Sequence, residues 1–525
     1  MSVPGTLERI IDASGVSARI EALLPIGVRP RQLSVRTLLA GMLLTAVNNR
    51  PAHLRRVHQA LTALPAQDKQ RLGITAEWKH GPHLLTYRQV ERTFALVVKA
   101  LAKDEPDGSP SDVLSEVLDA LLESSIQALG EPASSSYAVD WTDQETWSRP
   151  PPKQREQAEH PGQSEHASAS ADTETQTPSK EQRSYADPEA SWGHRRGNHP
   201  GQKDEAFYGY YLQAATIVKD EHGPNVPELV RRIHIASCDH DPPAQLVPVL
   251  QRMAASNITI ADVLADSGYA YRVAERWALP VRQLGASLIQ DLHPNDQGVH
   301  GTHKGAICAN GNLYCPATPK PLFELSPLAR GASADQIQTH DQHSDELSRY
   351  KLSPITSYDP DGYRRVACPA AQGKLRCPLR PATMTLAHAR PQVLQAPEHP
   401  PTCCSQQTIT VPASVNAKTA QKHDYPSAAH RRSYARRSGA ERAFSTVKDP
   451  ATNNLNKGWC RLTGLTPIAL LTATVFIARN LRIADAFAAR QAENQRRAAN
   501  GIAPKQRKRR RRSTDDLITT ANAPP

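Results

Sequence analysis

Four residues near the C-terminus have the types and the spacing to hold a phosphodiester: Tyr434, Arg437, Glu441 and Lys448. Their spacing is Y-x2-R-x3-E-x6-K, so on one α-helix they project within an arc of about 60°. A carboxylate on that face can hold a metal ion, while the guanidinium, the ammonium and the phenol can hold phosphate oxygens. The structural alternative is a surface helix that carries spaced charges.

Two aspartates upstream supply matching carboxylates. Asp140 lies in a predicted strand over residues 136–142, and Asp266 ends a predicted strand over residues 258–265. Apolar residues precede both, so each acid is predicted to point inward or to lie at the rim of a sheet. Phosphoryl transfer on DNA commonly uses two divalent ions about 3.5–4 Å apart. Hard ions of this kind prefer carboxylate oxygens. We therefore predict that Asp140, Asp266 and Glu441 together bind two Mg²⁺ or Mn²⁺ ions.

Other acids lie close enough in sequence to compete for these roles. Asp143 is near the first position, and Asp239, Asp241 and Asp262 are near the second. Asp266 alone could also be an ordinary turn residue before Gly268. The assignment depends on the combination of three acids.

The Y-x2-R-x3-E-x6-K run resembles the signature of the DDE transposases of bacterial insertion sequences, in the branch marked by this helix. The run Asp266-Ser267-Gly268-Tyr269 also resembles the family pattern. The resemblance covers residues 137–485 and is interrupted by two insertions that are not part of the minimal pattern. It implies a metal-dependent DNA-cutting and DNA-joining enzyme in which Tyr434, Arg437 and Lys448 contact DNA phosphates.

The order of the predicted elements in residues 131–299 is β-β-β-α-β-α-β, which is the order of a ribonuclease-H-like α/β core. Predicted strands cover 136–142, 208–218, 229–237, 258–265 and 286–292, and predicted helices cover 244–255 and 271–284. Residues 427–488 would complete this core with the Glu441 helix and a final helix at 467–481. Residues 148–191 contain no Val, Ile, Leu, Met, Phe or Trp, so we predict a disordered loop there.

The first 130 residues are predicted to form a separate helical domain. Helices are expected at 34–47 and 53–64, with a third beginning after Thr86 as N-cap. The third helix carries Arg88, Gln89 and Arg92 on one face, where they could reach phosphates or base edges. Recognition of terminal repeats and a role in dimerisation or packing remain alternative functions for this domain.

Residues 300–426 form a proline-rich insertion that holds six of the eight cysteines. They are Cys308, Cys315, Cys368, Cys377, Cys403 and Cys404. Clustered cysteines in a reducing compartment are commonly metal ligands, but the tight Cys-x2-Cys spacing is missing here. The sequence is therefore compatible with a structural Zn²⁺ site and also with thiols that bind no metal.

The net charge of +11 favours a polyanionic partner. Seven positive charges lie within residues 505–512, so the rest of the chain carries only +4. We predict that residues 489–525 form a disordered basic tail, either a phosphate anchor or a solvated end. The apolar stretch at 465–478 is short and interrupted by polar residues, which predicts a buried helix and no membrane span. No secretory signal is recognisable, so a cytoplasmic, nucleoid-associated protein is expected.

These patterns predict a transposase that binds the terminal repeats of its element as a homodimer on double-stranded DNA. A transposase-derived DNA-binding protein that no longer cuts is the main alternative. A zinc-dependent nucleic-acid-binding module would account for the cysteines but would leave the Glu441 helix unexplained.

Overall fold

The computed structural model describes residues 3–504 except 27–31, 75–76, 79–80, 83–84, 151–186, 196–203, 330 and 360. The basic run 505–512 and most of the predicted loop 148–191 lie outside the described residues. The described protein is a mixed α/β structure in which helices flank a mixed sheet.

The N-terminal part is mainly helical. It comprises α1 (Val3–Ser14), α2 (Val16–Leu23), α3 (Val35–Val47), α4 (Leu54–Thr62), α5 (Ala66–Arg71), β1 (Glu77–Trp78), β2 (Gly81–Pro82), α6 (Tyr87–Leu101) and α7 (Asp112–Leu129). Ser34 caps α3 by accepting a hydrogen bond from the backbone N–H of Thr37. Thr86 and Gln89 form a capping box at α6, which confirms the predicted N-cap. Arg88 and Arg92 are exposed on that helix.

The central sheet follows. Its elements are β3 (Ser136–Glu145), β4 (Ser191–Arg195), β5 (Glu205–Val218), β6 (Val230–Ser237), α8 (Pro242–Ala255), β7 (Asp262–Ala265), α9 (Ser267–Ala270), α10 (Ala278–Gln283) and β8 (Ser287–Gln290). The strand order is β4-β5-β3-β7-β8, with β6 also paired to β5. The pairs β3–β5, β4–β5 and β5–β6 are antiparallel, whereas β3–β7 and β7–β8 are parallel.

Two predictions in this region were wrong in detail. Residues 187–191 were assigned to the disordered loop, yet Asp187 is fully buried and Ser191 begins β4, which pairs with β5. Tyr208 and Tyr210 donate hydrogen bonds to Asp187, and these bonds order the segment. The predicted helix at 271–284 is only a 3₁₀ turn (Ala274–Arg276) followed by α10. Pro280 has no N–H to donate, so it is tolerated only in the first turn of a helix that starts at Ala278.

The insertion contains two small antiparallel sheets and one long helix. Its elements are β9 (Val299–His303), β10 (Ala306–Ala309), β11 (Asn312–Tyr314), α11 (Ala334–Arg349), β12 (Ser353–Pro354), β13 (Tyr363–Ala367), α12 (Thr402–Ser405) and β14 (Thr408–Pro412). The sheets have the orders β11-β10-β9 and β12-β13-β14. Lys422, at the end of this region, pairs with Asp262 of β7 at 2.8 Å and connects the insertion to the central sheet.

The remaining helices are α13 (Ala428–Tyr434), α14 (Ser438–Lys448) and α15 (Leu465–Ala499). The predicted single helix of Tyr434 to Lys448 is thus interrupted by a 3₁₀ turn at Ala435–Arg437. Gly439 lets α14 approach the sheet, because a Cβ there would lie 2.4 Å from the Cγ1 of Val218.

Helix α15 carries the core of the C-terminal region. Residues 465–480 are buried, which confirms the predicted buried helix. Among the described helices it alone is long and apolar enough to cross a membrane. However, 78% of its most apolar 18-residue stretch is buried inside the protein, as in a core helix. Its end corrects another prediction: residues 489–499, assigned to a disordered tail, continue the helix.

One hydrophobic core joins the N-terminal helices to the sheet. Helix α15 packs on α3, α7 and β6, and their apolar residues belong to one cluster. Asn480 of α15 fixes this contact, because its amide accepts from the N–H of Val230 at 2.9 Å and donates to its carbonyl at 2.8 Å. The N-terminal helices therefore share their core with the α/β region.

Candidate active site

The first two predicted acids lie side by side on neighbouring strands. Strands β3 and β7 are parallel, with Ala138 opposite Leu264. Asp140 comes two residues further along β3, and Asp266 lies just beyond the end of β7 as the N-cap of α9, so the two acids stand at the same end of neighbouring strands. Since side chains alternate from face to face along a strand, these acids share a face with Ala138 and Leu264.

The third acid reaches the same face from a helix. Ala138 and Leu264 pack against Ala440 of α14, and Tyr434 of α13 packs beside them. Glu441 accepts a hydrogen bond from Arg437, which also pairs with Asp140, and its charge acts on both aspartates. The sheet and α14 thereby bring Asp140, Asp266 and Glu441, here called the acid cluster, to one place.

Arg437 connects the acid cluster. Its Nη1 lies 3.6 Å from Oδ2 of Asp140, and its Nη2 donates a hydrogen bond to Glu441. Its guanidinium carbon is 5.6 Å from the ring centroid of Tyr434, a cation–π contact. Both described ion pairs of the acid cluster run to Arg437. A single guanidinium therefore faces three carboxylates.

The electrostatics reflect this excess of negative charge. Burial, with repulsion from Asp266 and Glu441, raises the pKa of Asp140 to about 7 although Arg437 opposes the shift. Burial likewise raises the pKa of Asp266. For Arg437, burial acts against the charge, but Tyr434 and the three acids together raise the pKa of its guanidinium. The arrangement favours a bound cation.

Aromatic rings form the wall behind Asp140 and Asp266. The Trp141 ring lies 4.8 Å from the Tyr269 ring, which lies 4.6 Å from Trp277. Gly268 is required here, because a Cβ would lie 2.4 Å from the Trp141 ring. Its N–H donates to Oδ1 of Asp266 at 2.9 Å and orients that carboxylate. The hydroxyl of Tyr269 is buried, and among the described residues it has no hydrogen-bond partner.

The other two predicted phosphate-binding residues flank the acid cluster. Lys448 ends α14 and donates to Asp143 at 2.9 Å and to Thr142 at 2.7 Å. Tyr434 is half-buried and stacks on His430, whose Nε2 lies 3.1 Å from the carbonyl of Gln290 at the end of β8. These contacts attach both ends of the helical segment to the sheet.

The competing acids are already paired. Asp143 binds Lys448 and Arg195, with the latter at 2.9 Å, and Asp241 binds Arg272 at 2.5 Å. Asp239 accepts a hydrogen bond from the hydroxyl of Ser191 at 3.3 Å.

Asp262, the fourth competing acid, belongs to a separate group that sequence reasoning missed. The buried Arg436 pairs with it at 2.9 Å, and Lys422 pairs with it at 2.8 Å. Arg436 also donates to the carbonyls of Lys219 and Ser433. We call Asp262, Arg436 and Lys422 the buried ion-pair cluster. It fixes the backbone of the turn that presents Arg437.

Five of the six insertion cysteines lie near enough to influence one another: Cys315, Cys368, Cys377, Cys403 and Cys404. Interaction with Cys404 and burial both raise the pKa of Cys315. Burial raises the pKa of Cys377, and Cys315 and Cys368 add to that shift. Cys368 also interacts with Cys404. Cys403 also interacts with Cys404, although it packs with Cys308 in a neighbouring apolar cluster with β10 and β14.

Among the described residues, no three His, Cys, Asp or Glu side chains stand close enough together to hold a metal ion, and this includes the acid cluster and the insertion cysteines. No family model, curated protein or solved structure matches the chain.

Proposed function

We propose that the protein is a DDE-type transposase that cuts and joins DNA at the acid cluster with the help of divalent metal ions. The observation that carries the proposal is the meeting of Asp140, Asp266 and Glu441 around Arg437, since these residues are far apart in sequence. The strand order supports a ribonuclease-H-like core: β3, β4, β5 and β6 are joined by antiparallel pairs, and β7 and β8, which follow α8 and α10, continue the sheet in parallel with β3.

The donor set suits Mg²⁺ or Mn²⁺. Carboxylate oxygens are the preferred ligands of hard ions, and three carboxylates with one guanidinium leave a net negative site. Asp140, Asp266 and Glu441 would hold two ions. When bound, such ions activate an attacking water or hydroxyl and stabilise the leaving oxygen.

The chain's own residues would position the DNA. Asp140 and Asp266 are held by the sheet, so their carboxylates stay fixed relative to each other. Arg437, Tyr434 and Lys448 line the same helical segment and offer N–H and O–H donors to phosphate oxygens. Trp141 and Tyr269 restrict water on the side of the strands.

The wider assignment follows from the same site. We propose double-stranded DNA as partner, with the element's terminal repeats and a target as substrates. Cutting paired ends requires a homodimer, and the setting would be the cytoplasm, on the nucleoid. The N-terminal helices would form a DNA-binding or dimerisation unit, and Arg88 and Arg92 of α6 are exposed for such a role.

The test is cleavage of a labelled duplex that carries the repeats flanking the gene, in Mg²⁺, with binding measured in parallel. Asp140→Ala, Asp266→Ala and Glu441→Ala should each lower the cleavage rate by at least about 10³-fold, because a metal ion supplies several kcal/mol of transition-state stabilisation. Binding of the repeats should persist. A matched control is Asp239→Ala, which removes an exposed acid outside the acid cluster.

Cleavage by Glu441→Ala at the rate of the unmodified protein would reject the site. If the unmodified protein binds the repeats and cuts no DNA, the alternative of a transposase-derived DNA-binding protein is favoured.

A structural zinc ion is proposed for the insertion. We expect Cys315, Cys368, Cys377 and Cys404 to be its ligands, because their thiols influence one another, with Cys403 as the competing fifth thiol beside Cys404. Cysteine thiols lose their protons on binding and hold Zn²⁺ tetrahedrally as thiolates. Metal analysis should find zinc in the purified protein, lost in Cys377→Ser and retained in Cys308→Ser. Protein free of zinc, with all six thiols titrating rapidly while folded, would show that the thiols are unmetallated.

A further inference from the structure

Arg437 occupies the space between the oxygens that a metal ion would need. Its two terminal nitrogens face Asp140 at 3.6 Å and bond Glu441, and its charge also acts on Asp266. The guanidinium is thus the cation of the acid cluster in this form of the protein. Its side chain is mostly buried, with 15% of its surface exposed.

The backbone beneath Arg437 is fixed by contacts that do not involve the Arg437 side chain. Arg436, the preceding residue, bonds to Asp262, Lys219 and Ser433, which holds the 3₁₀ turn against the strands. Glu441, on the outer side of the acid cluster, has 55% of its side chain exposed. A movement of the Arg437 side chain therefore requires no change in the sheet.

We propose that Arg437 is an internal counter-cation which competes with the divalent ions for the oxygens of Asp140 and Glu441. The proposal rests on the function given above, because it takes the acid cluster to be the metal site. Arg437 would leave the carboxylates as metal binds. Its fork of N–H donors then becomes available to a phosphate, the ligand that guanidinium groups bind in a bidentate manner.

Two consequences separate this role from that of a simple phosphate ligand. Before DNA binds, Arg437 stabilises the cluster of like charges and lowers its affinity for metal. Once metal and DNA are present, the same side chain contributes to DNA binding. The exchange couples metal binding to DNA binding, so the complete site would assemble only when both are available.

The experiment is a calorimetric titration of Mn²⁺ into the full chain without DNA. Arg437→Gln should bind Mn²⁺ at least about 10-fold more tightly than the unmodified protein. A positive charge within about 4–6 Å of a carboxylate changes its affinity for a proton by about 10-fold or more, and we expect a similar effect on a metal ion. Arg437→Lys keeps the positive charge and should stay close to the unmodified protein. Arg432→Gln is the matched control: it removes the same charge from α13, but Arg432 lines a separate surface cavity with Glu228 and Arg442.

Unchanged or weaker Mn²⁺ binding by Arg437→Gln overturns the competition. Asp140→Asn added to Arg437→Gln then tests the site itself. If the added change abolishes Mn²⁺ binding, the acid cluster is the metal site. In that case only the proposed competition by Arg437 is rejected, and the proposed function stands. If Mn²⁺ binding survives the added change, or if none of these proteins binds Mn²⁺, the metal site of the proposed function fails as well.

Discussion

Strands β3 and β7 carry two groups of charged residues that differ in how their charges are matched. At the start of β7, Asp262 is paired with both Arg436 and Lys422 in the buried ion-pair cluster. At the far end of β7, the acid cluster sets three carboxylates against Arg437. Arg436 and Arg437 are adjacent in the chain, yet Arg436 belongs to the buried ion-pair cluster and Arg437 faces the acid cluster.

The buried ion-pair cluster has the composition of a structural element. Asp262 and Arg436 have only 3% and 5% of their side chains exposed, and both carboxylate oxygens of Asp262 accept hydrogen bonds. A buried carboxylate that faces two cations has no need of a further ligand. The group joins β7 to the helical segment and to the insertion.

The acid cluster has the opposite composition. Burial and mutual repulsion raise the pKa of Asp140 to about 7, so the protein holds charges together that would separate in water. Such an arrangement costs stability and is typical of sites that await a ligand. The comparison teaches that matching of charge, more than the presence of acids, separates the structural group from the candidate active site.

The largest stability effect is expected when the matched group loses its acid. Asp262→Asn should lower the free energy of unfolding by about 3–5 kcal/mol, because Arg436 would be left buried without a countercharge. Urea denaturation at pH 8 with EDTA measures the change. The control is Asp239→Asn, an exposed acid whose change should stay within about 0.5 kcal/mol. Equal stability of the two variants would contradict the structural role of the buried ion-pair cluster.

Residue spacing, together with the family resemblance, predicted that Asp140, Asp266 and Glu441 belong to one site, and their catalytic role stays a prediction. Asp140 and Asp266 each follow a short apolar run, and the two-residue alternation of a strand places them on one face. Glu441 required the helical spacing from Tyr434 to Lys448, and the 3₁₀ turn at Ala435–Arg437 did not remove Glu441 from that face. Local periodicity was sufficient because Asp140 lies in β3, Glu441 lies in α14 and Asp266 directly follows β7.

Partner choice could not be predicted in the same way. Arg436 and Arg437 have identical side chains, and only the 3₁₀ turn decides which one faces Asp262. Strand β4 was missed because Ser191–Arg195 is short and shows little alternation, and its pairing with β5 is a long-range contact. The helix at 489–499 was predictable in hindsight, since its alanine, arginine and glutamine residues favour helices.

The smaller and opposite effect is expected in the acid cluster. Asp140→Asn should raise the free energy of unfolding by about 1 kcal/mol or more at pH 8 in EDTA, because it removes a buried carboxylate whose ionisation is unfavourable. The same urea denaturation measures it beside Asp262→Asn. Adding Mn²⁺ should reverse the order: the unmodified protein gains stability by binding the ion, while Asp140→Asn gains little. A loss of stability in EDTA similar to that of Asp262→Asn would mean that Arg437 alone balances the acid cluster, and the contrast between the two groups would disappear.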